Sequence, residues 1–155
     1  MKFSAKEDIE APIDFVFKQI TDFTSFERSA LRRGAEVQRV DSLDKPGPGM
    51  AWDASFKMRG RQRDMNIELM SLDPPNAMVM GSRSPAMGGN MKVDLVALSR
   101  GRTRMSVDIG MTPKTLAARL LVQSLKLARS SLNKRFRKHV AKYAEDIEDR
   151  FKRQA

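Results

Sequence analysis

Polar and apolar residues alternate from Lys2 to Ile9, the period-two pattern of a half-buried strand, and the run ends in Ile9-Glu10-Ala11-Pro12. Proline is favoured in the first turn of a helix because its missing N–H would have no partner there. The strand is therefore predicted to hand over to a helix at Pro12. Phe15, Val16, Phe17, Ile20, Phe23 and Phe26 then recur at helical spacing, and Asp22 with Thr24-Ser25 supplies N-cap chemistry for a second short helix that Gly34 closes.

Ala35 to Leu43 reads as a strand holding Val37 and Val40, and Asp44-Lys45-Pro46-Gly47-Pro48-Gly49 is a turn. The clearest alternation follows, with Met50, Trp52, Ala54, Phe56 and Met58 on one face and Asp53, Ser55, Lys57 and Arg59 on the other. Met65, Ile67 and Leu69 repeat it before Pro74-Pro75. Ala77 to Ser82 forms a short apolar strand, and Met91, Val93, Leu95 and Ala97 another. After a turn at Arg100-Gly101, Met105, Val107, Ile109 and Met111 complete a series of antiparallel hairpin strands.

Thr112-Pro113 ends the sheet, and from Thr115 to Ala155 no Gly or Pro interrupts, which predicts one helix of about ten turns. Ala118, Leu121, Leu125, Ala128, Leu132, Phe136, Tyr143 and Ile147 form a stripe that would lie against the sheet. Leu116, Leu120 and Leu127 fall on the opposite side. Either the loops after Leu43 and Pro85 cover them, or they line a pocket mouth or meet a protein partner. The predicted architecture is α+β, in the order β-α-α-β-β-β-β-β-β-α. A curved antiparallel sheet of about seven strands wraps a long C-terminal helix in a single domain, residues 1–155.

The charge changes the picture at the surface. A formal net charge of +10 and a sequence pI near 10.3 favour anionic partners, whereas 6% aromatic residues argue against a base-stacking platform for single strands. Arg59, Arg61 and Arg63 surround one hairpin tip, and Arg100, Arg102 and Arg104 another. Guanidinium forks bind phosphate bidentately, so these tips are candidates for an anionic membrane surface or RNA; the plainer reading is a solvated rim. With no cysteine, nothing depends on disulfides or thiolate-bound metal. Acidic Glu7-Asp8 stands where a secretory signal would be apolar, and no run approaches the ~20 apolar residues of a membrane span. A cytoplasmic location is expected.

Candidate chemistry is sparse. His139 is the only histidine, which excludes a histidine metal cluster or a two-histidine relay, and its place near the inner edge of the helix stripe predicts a packing role. Ser82, Ser84 and Ser99 have no G-x-S-x-G context. Asp53 and Glu68 should face outward. Trp52 and Tyr143 are the inward-facing polar donors, each with one proton to offer. No constellation describes an enzyme; catalytic residues are unknown, and neither metal nor cofactor is expected.

The order of elements resembles a known family. The Ile9-Glu10-Ala11-Pro12 segment with Phe15-Val16-Phe17 behind it, Thr21-Asp22-Phe23, the Leu72-Asp73-Pro74-Pro75 turn and the closing amphipathic helix are similar to the START-like or Bet v 1-like helix-grip (SRPBCC) superfamily, in particular its polyketide cyclase/dehydrase and lipid-transport branch. The resemblance spans essentially the whole chain. It implies a curved sheet gripping the long helix around an apolar cavity, and hence binding or transport of an apolar small molecule such as a lipid, polyketide or isoprenoid. Gly47-Pro48-Gly49 is too short and too rich in proline to stand for the glycine-rich loop of some plant members.

On this reading the cavity would be lined by Trp52, Ala54, Phe56, Met58, Met65, Ile67, Met105, Val107, Ile109, Leu121, Leu125 and Tyr143. Eleven methionines, with Met50, Met58, Met65, Met105 and Met111 on inward faces, suit a cavity that adapts to bulky apolar ligands. Packing of a solid core would give the same pattern. Two other readings stand beside the carrier: an interaction protein using its basic surface on membrane, ribosome or nucleic acid, and a cyclase-type enzyme, which requires an inward-facing titratable residue.

Overall fold

The computed structural model describes residues 1–58 and 60–154. β1 (Lys2–Ile9) buries Phe3, Ala5 and Ile9 on one face, and the chain turns at Ala11 into α1 (Ile13–Ile20) with Pro12 at the N-cap. Thr21 Oγ1 donates to the Phe17 carbonyl at 2.7 Å and ends α1. Asp22 then caps α2 (Phe23–Arg32) by accepting from the Ser25 N–H at 3.2 Å. Gly34, at φ +88°, takes the left-handed conformation that only glycine adopts without strain and releases the chain into β2 (Glu36–Arg39).

Five longer strands follow: β3 (Ala51–Met58), β4 (Arg61–Asp73), β5 (Ala77–Arg83), β6 (Met87–Ser99) and β7 (Arg102–Pro113). All seven form one antiparallel sheet in the order β1-β7-β6-β5-β4-β3-β2. β1 returns to pair with β7, from Lys2 opposite Gly110 to Ile9 opposite Thr103. The strands lie where alternation places them, but β6 begins at Met87 rather than near Met91, because Gly88 and Gly89 carry no side chain to show the alternation, and the strand expected to reach Leu43 stops at Arg39. Asp41 takes over there. Its carboxylate accepts from the Leu43 and Ala51 N–H groups at 3.0 and 2.9 Å and from Arg39 Nε at 2.7 Å, replacing ladder bonds with side-chain bonds.

β4 changes phase part-way. Leu69 pairs with Met80 but Ser71 with Val79, so Met70 is extra, lies on the outer face over Gly81, and shifts the inward set from Met65, Ile67 and Leu69 to Leu72.

The C-terminal helix is two helices, α3 (Leu116–Leu127) and α4 (Arg129–Gln154), which corrects the single ten-turn helix expected from the sequence. Ala128 breaks the run with φ −103° and ψ 16°, and its N–H turns to the Leu125 carbonyl, at 3.0 Å, three residues back rather than four. Ser130 and Ser131 lie just after the break, and serine hydroxyls compete with a helix for its backbone hydrogen bonds. α4 alone spans about 39 Å, close to the ~43 Å of the longest 13-residue strands.

α4 seats its C-terminal half by packing Val140, Ala144 and Ile147 over β1 and α1, with Phe136 against Phe3 (centroids 6.0 Å) and Phe151 against Phe15 (5.1 Å). Glu148 accepts from the Glu10 N–H at 2.8 Å, and Arg150 donates to Gln19 Oε1 at 2.9 Å. The solid core lies at this end, around Ile9, Val16, Ile20, Met50, Leu69, Met105 and Ile147. Burying each such side chain contributes about 1.5–3 kcal/mol. Thr103, the buried polar residue among them, donates to the Ala11 carbonyl at 2.8 Å.

Candidate functional site

The antiparallel register lines up one inward-facing row across five strands: Trp52 on β3, Ile67 on β4, Ser82 on β5, Gly89 on β6 and Met111 on β7. In the next row toward the core the facing side chains are large, Leu69, Met80, Met91 and Ile109, and fill the space. At Ser82 and Gly89 they are small. The sheet surface dips at that point, and a groove of about 410 Å³ opens on the concave face.

Met65 and Ile67, Met80, Met87 and Met91, and Met111 wall the groove, and Ser82 with Gly88 and Gly89 forms its floor. Five of the eleven methionines of the chain therefore meet at one place. A thioether on three rotatable bonds re-packs at little cost, so these walls conform to guests of varied shape. The hydroxyl of Ser82 and the amide of Asn90 are the side-chain polar groups among the residues that line the groove, and none of those residues is titratable.

A larger cleft of about 640 Å³ runs along the β2 edge and touches the groove at Met65. Its lining is mixed, with the charged and polar Glu36, Asp53, Asp64, Asn66 and Arg83 beside the apolar Leu31, Val37 and Ala54. An apolar guest is better matched by the smaller groove.

Of the residues expected to line a cavity, Met65 and Ile67 are in the groove, and Ala54 lines the edge cleft. Trp52, Met105 and Val107 are buried in the solid core or its margin, and Ile109 packs against it. Phe56 is half-buried, and Met58 is 46% exposed where β3 leaves the core. Leu121 and Leu125 are half-buried on α3. Tyr143 packs against Phe26 and donates to the Gln19 carbonyl at 3.4 Å; burial pushes its phenol well above the ordinary value. The Trp52 indole N–H donates to Glu27 Oε1 at 2.8 Å, so both inward polar donors are engaged within the protein.

Met80, Ser82, Met87, Gly89 and Met91 also line the groove and lie outside the lining expected from the sequence. The available signal is Gly88-Gly89 inside a strand, since glycine there marks a place where something else approaches the backbone.

His139 is exposed on α4, which corrects the packing role expected for it. Among the described residues no group of Asp, Glu, His or Cys is arranged to hold a metal. Two hairpin arginines are engaged. Arg104 Nε lies 2.8 Å from Asp8, and Arg102 reaches Asp8 at 3.4 Å and Glu10 at 3.1 Å, which holds the Asp8 carboxyl below its usual range. Arg100 is exposed at the β6–β7 turn; Arg61 and Arg63 are exposed at the β3–β4 hairpin, on the same strand face as Met65 by register; Arg59 lies outside the described residues.

Among the described residues no loop covers Leu116, Leu120 or Leu127, which are 72%, 62% and 91% exposed. Among the described residues no helix is long and apolar enough to cross a membrane.

No family model matches the sequence, and no curated protein matches it. Solved structures do match in fold. The Zhui aromatase/cyclase from Streptomyces sp. R1128 superposes with a TM-score of 0.66 at 12% identity, over 97% of this chain and 94% of that one. Ara h 8.0201 gives a TM-score of 0.58 at 16% identity, over 90% and 97%. A START superfamily protein from Mycobacterium smegmatis gives 0.56 at 11% identity, over 86% and 95%. At such identities the likeness is one of architecture: an α+β domain in which a seven-stranded antiparallel sheet is closed by a long C-terminal helix, the START-like helix-grip fold.

Proposed function

We propose that this helix-grip protein binds an apolar small molecule of the lipid, polyketide or isoprenoid kind in the methionine-walled groove on the concave face of its sheet. The observation that supports this reading is the row at Ser82 and Gly89, where the facing side chains shrink and five methionines surround the space left. A volume of about 410 Å³ suits a small lipid-like or polycyclic guest. The Ser82 hydroxyl gives such a guest one hydrogen-bonding point, as a hydroxyl or carbonyl oxygen would require.

Binding rather than catalysis is favoured by the lining itself. Cyclisation of a polyketide chain needs a group that moves a proton, and no residue lining the groove titrates. The aromatase/cyclase activity in the printed name of one structural neighbour is therefore not carried over to this chain.

Native mass spectrometry of the protein from its own host, followed by solvent extraction, tests the proposal. A stoichiometric apolar adduct that is lost in Met65→Trp and in Gly89→Leu is expected. A protein that stays empty against lipid and isoprenoid libraries, or an adduct that both variants retain, overturns it.

A further inference from the structure

We infer that α3 is a docking surface for an anionic lipid bilayer, a role separate from occupancy of the groove. α3 has two apolar faces. Ala118 and Val122 are buried against the protein with Leu121 and Leu125 half-buried beside them, while at about 100° per residue Leu116, Leu120 and Leu127 fall within about 40° of one another on the opposite side. That second face is open to solvent, with exposures of 72%, 62% and 91%. Three leucines this exposed on one face of one helix exceed the scattered apolar residues of an ordinary surface.

Charge identifies the occupant. From Ile109 to Ala144 the chain contains nine lysines and arginines and no acidic residue. Arg119 and Lys126 lie together along one edge of the leucine face on α3 itself, both exposed, with Lys114 just before the helix and Arg129 just after it. None of these four takes part in an ion pair among the described residues. Exposed leucines bordered by long cationic side chains match the boundary between acyl chains and anionic headgroups, where the leucines enter the apolar layer and the ammonium and guanidinium groups stay at the phosphates. A second copy fits poorly, because pairing these faces would bring like charges together. Nucleic acid would satisfy the charges and leave the leucines in water.

α3 also sits beside the groove's end of the sheet. Met111, a groove wall, is within the last three residues of β7, and the Lys114 N–H donates to the Ala86 carbonyl at the β5–β6 tip, at 2.8 Å. A bilayer held by α3 would thus lie near the open part of the concave face.

Vesicle co-sedimentation of the full chain tests the inference. The expected result is binding to an equimolar phosphatidylcholine/phosphatidylglycerol mixture and none to phosphatidylcholine alone. Binding should weaken by roughly tenfold or more in the triple variant Leu116→Ser, Leu120→Ser, Leu127→Ser and in the double variant Arg119→Glu, Lys126→Glu. The substituted side chains are exposed, so folding should survive; should the triple variant not fold, the charge-reversed variant decides alone. Absence of wild-type binding, binding that persists in the variants, or a leucine-dependent dimer in sedimentation at the same concentrations overturns the inference. An empty groove would leave it standing.

Discussion

A β-carbon at Gly89 would stand 2.5 Å from Ser82 Oγ on the neighbouring strand, closer than two such atoms approach without one of them moving. The same missing side chain opens the groove, because positions 87 and 91 on either side of it are methionines that project from the same face.

Gly89→Leu should therefore fill the groove. An apolar dye such as anilinonaphthalene sulfonate, or the extracted ligand, should bind at least about tenfold more weakly, equivalent to ~1.4 kcal/mol, with the circular dichroism unchanged. Gly101 has open space around it, and Gly101→Ala should leave binding as it is. Titration by fluorescence checks both; undiminished binding in Gly89→Leu would place the ligand elsewhere.

Stability should be concentrated at the opposite end of the sheet. Met105→Ala and Ile147→Ala, at fully buried sites, should each cost about 2–5 kcal/mol in urea denaturation. Met58→Ser, on a side chain nearly half-exposed, should stay within about 0.5 kcal/mol.

Trp52 is the single tryptophan, so its fluorescence reports one hydrogen bond. Glu27→Leu leaves the buried indole N–H without an acceptor and should cost about 1–3 kcal/mol with a shift in emission. Glu27→Gln keeps an acceptor oxygen and should cost less. Equal effects of the two variants would show that the contact to Glu27 is incidental.

Two groups set opposite pH limits. The Arg39 guanidinium, with the Ala51 and Leu43 N–H groups, holds the Asp41 carboxyl well below its ordinary 3.8, so the stability this contributes is present above about pH 4 and is lost as pH falls further. Burial raises the Tyr143 phenol above its ordinary 10.0, so its contribution is intact below about pH 10 and is lost as pH rises through the folded value. In thermal melts across pH, Asp41→Asn should flatten the acid limb and Tyr143→Phe the alkaline limb. A limb unchanged by its variant would remove that residue as the cause.

α3 buries only Ala118 and Val122 and is separated from α4 by the break at Ala128. Its amides should exchange with deuterium well before those of Val140 to Ile147. Equal protection of the two helices would mean that they open as one unit.

The strands were legible because a single buried face writes a period of two into the sequence, as it does from Met50 to Ala54 and from Met105 to Ile109. The inward and outward sets remained correct until something outside the pattern intervened. At Met70 an inserted residue reverses the phase, and the adjacent apolar pair Leu69-Met70 does not show which of the two is extra. At Ala128 the helix stops without Gly or Pro, and the Ser130-Ser131 pair after it is a much weaker signal than either. The groove escaped for a different reason. Alternation counts side chains that are present, while the groove is defined by the one absent at Gly89 and the small one at Ser82, and by the register of four successive strands.

None of the fully buried residues of the core lines the methionine groove. Variation at positions 65, 82, 87 and 111, which are not among the residues packed on that core, is consequently free to proceed without passing through unfolded intermediates. A lineage of such proteins could exchange one guest for another by single substitutions while its melting temperature hardly moved, and a designer could do the same.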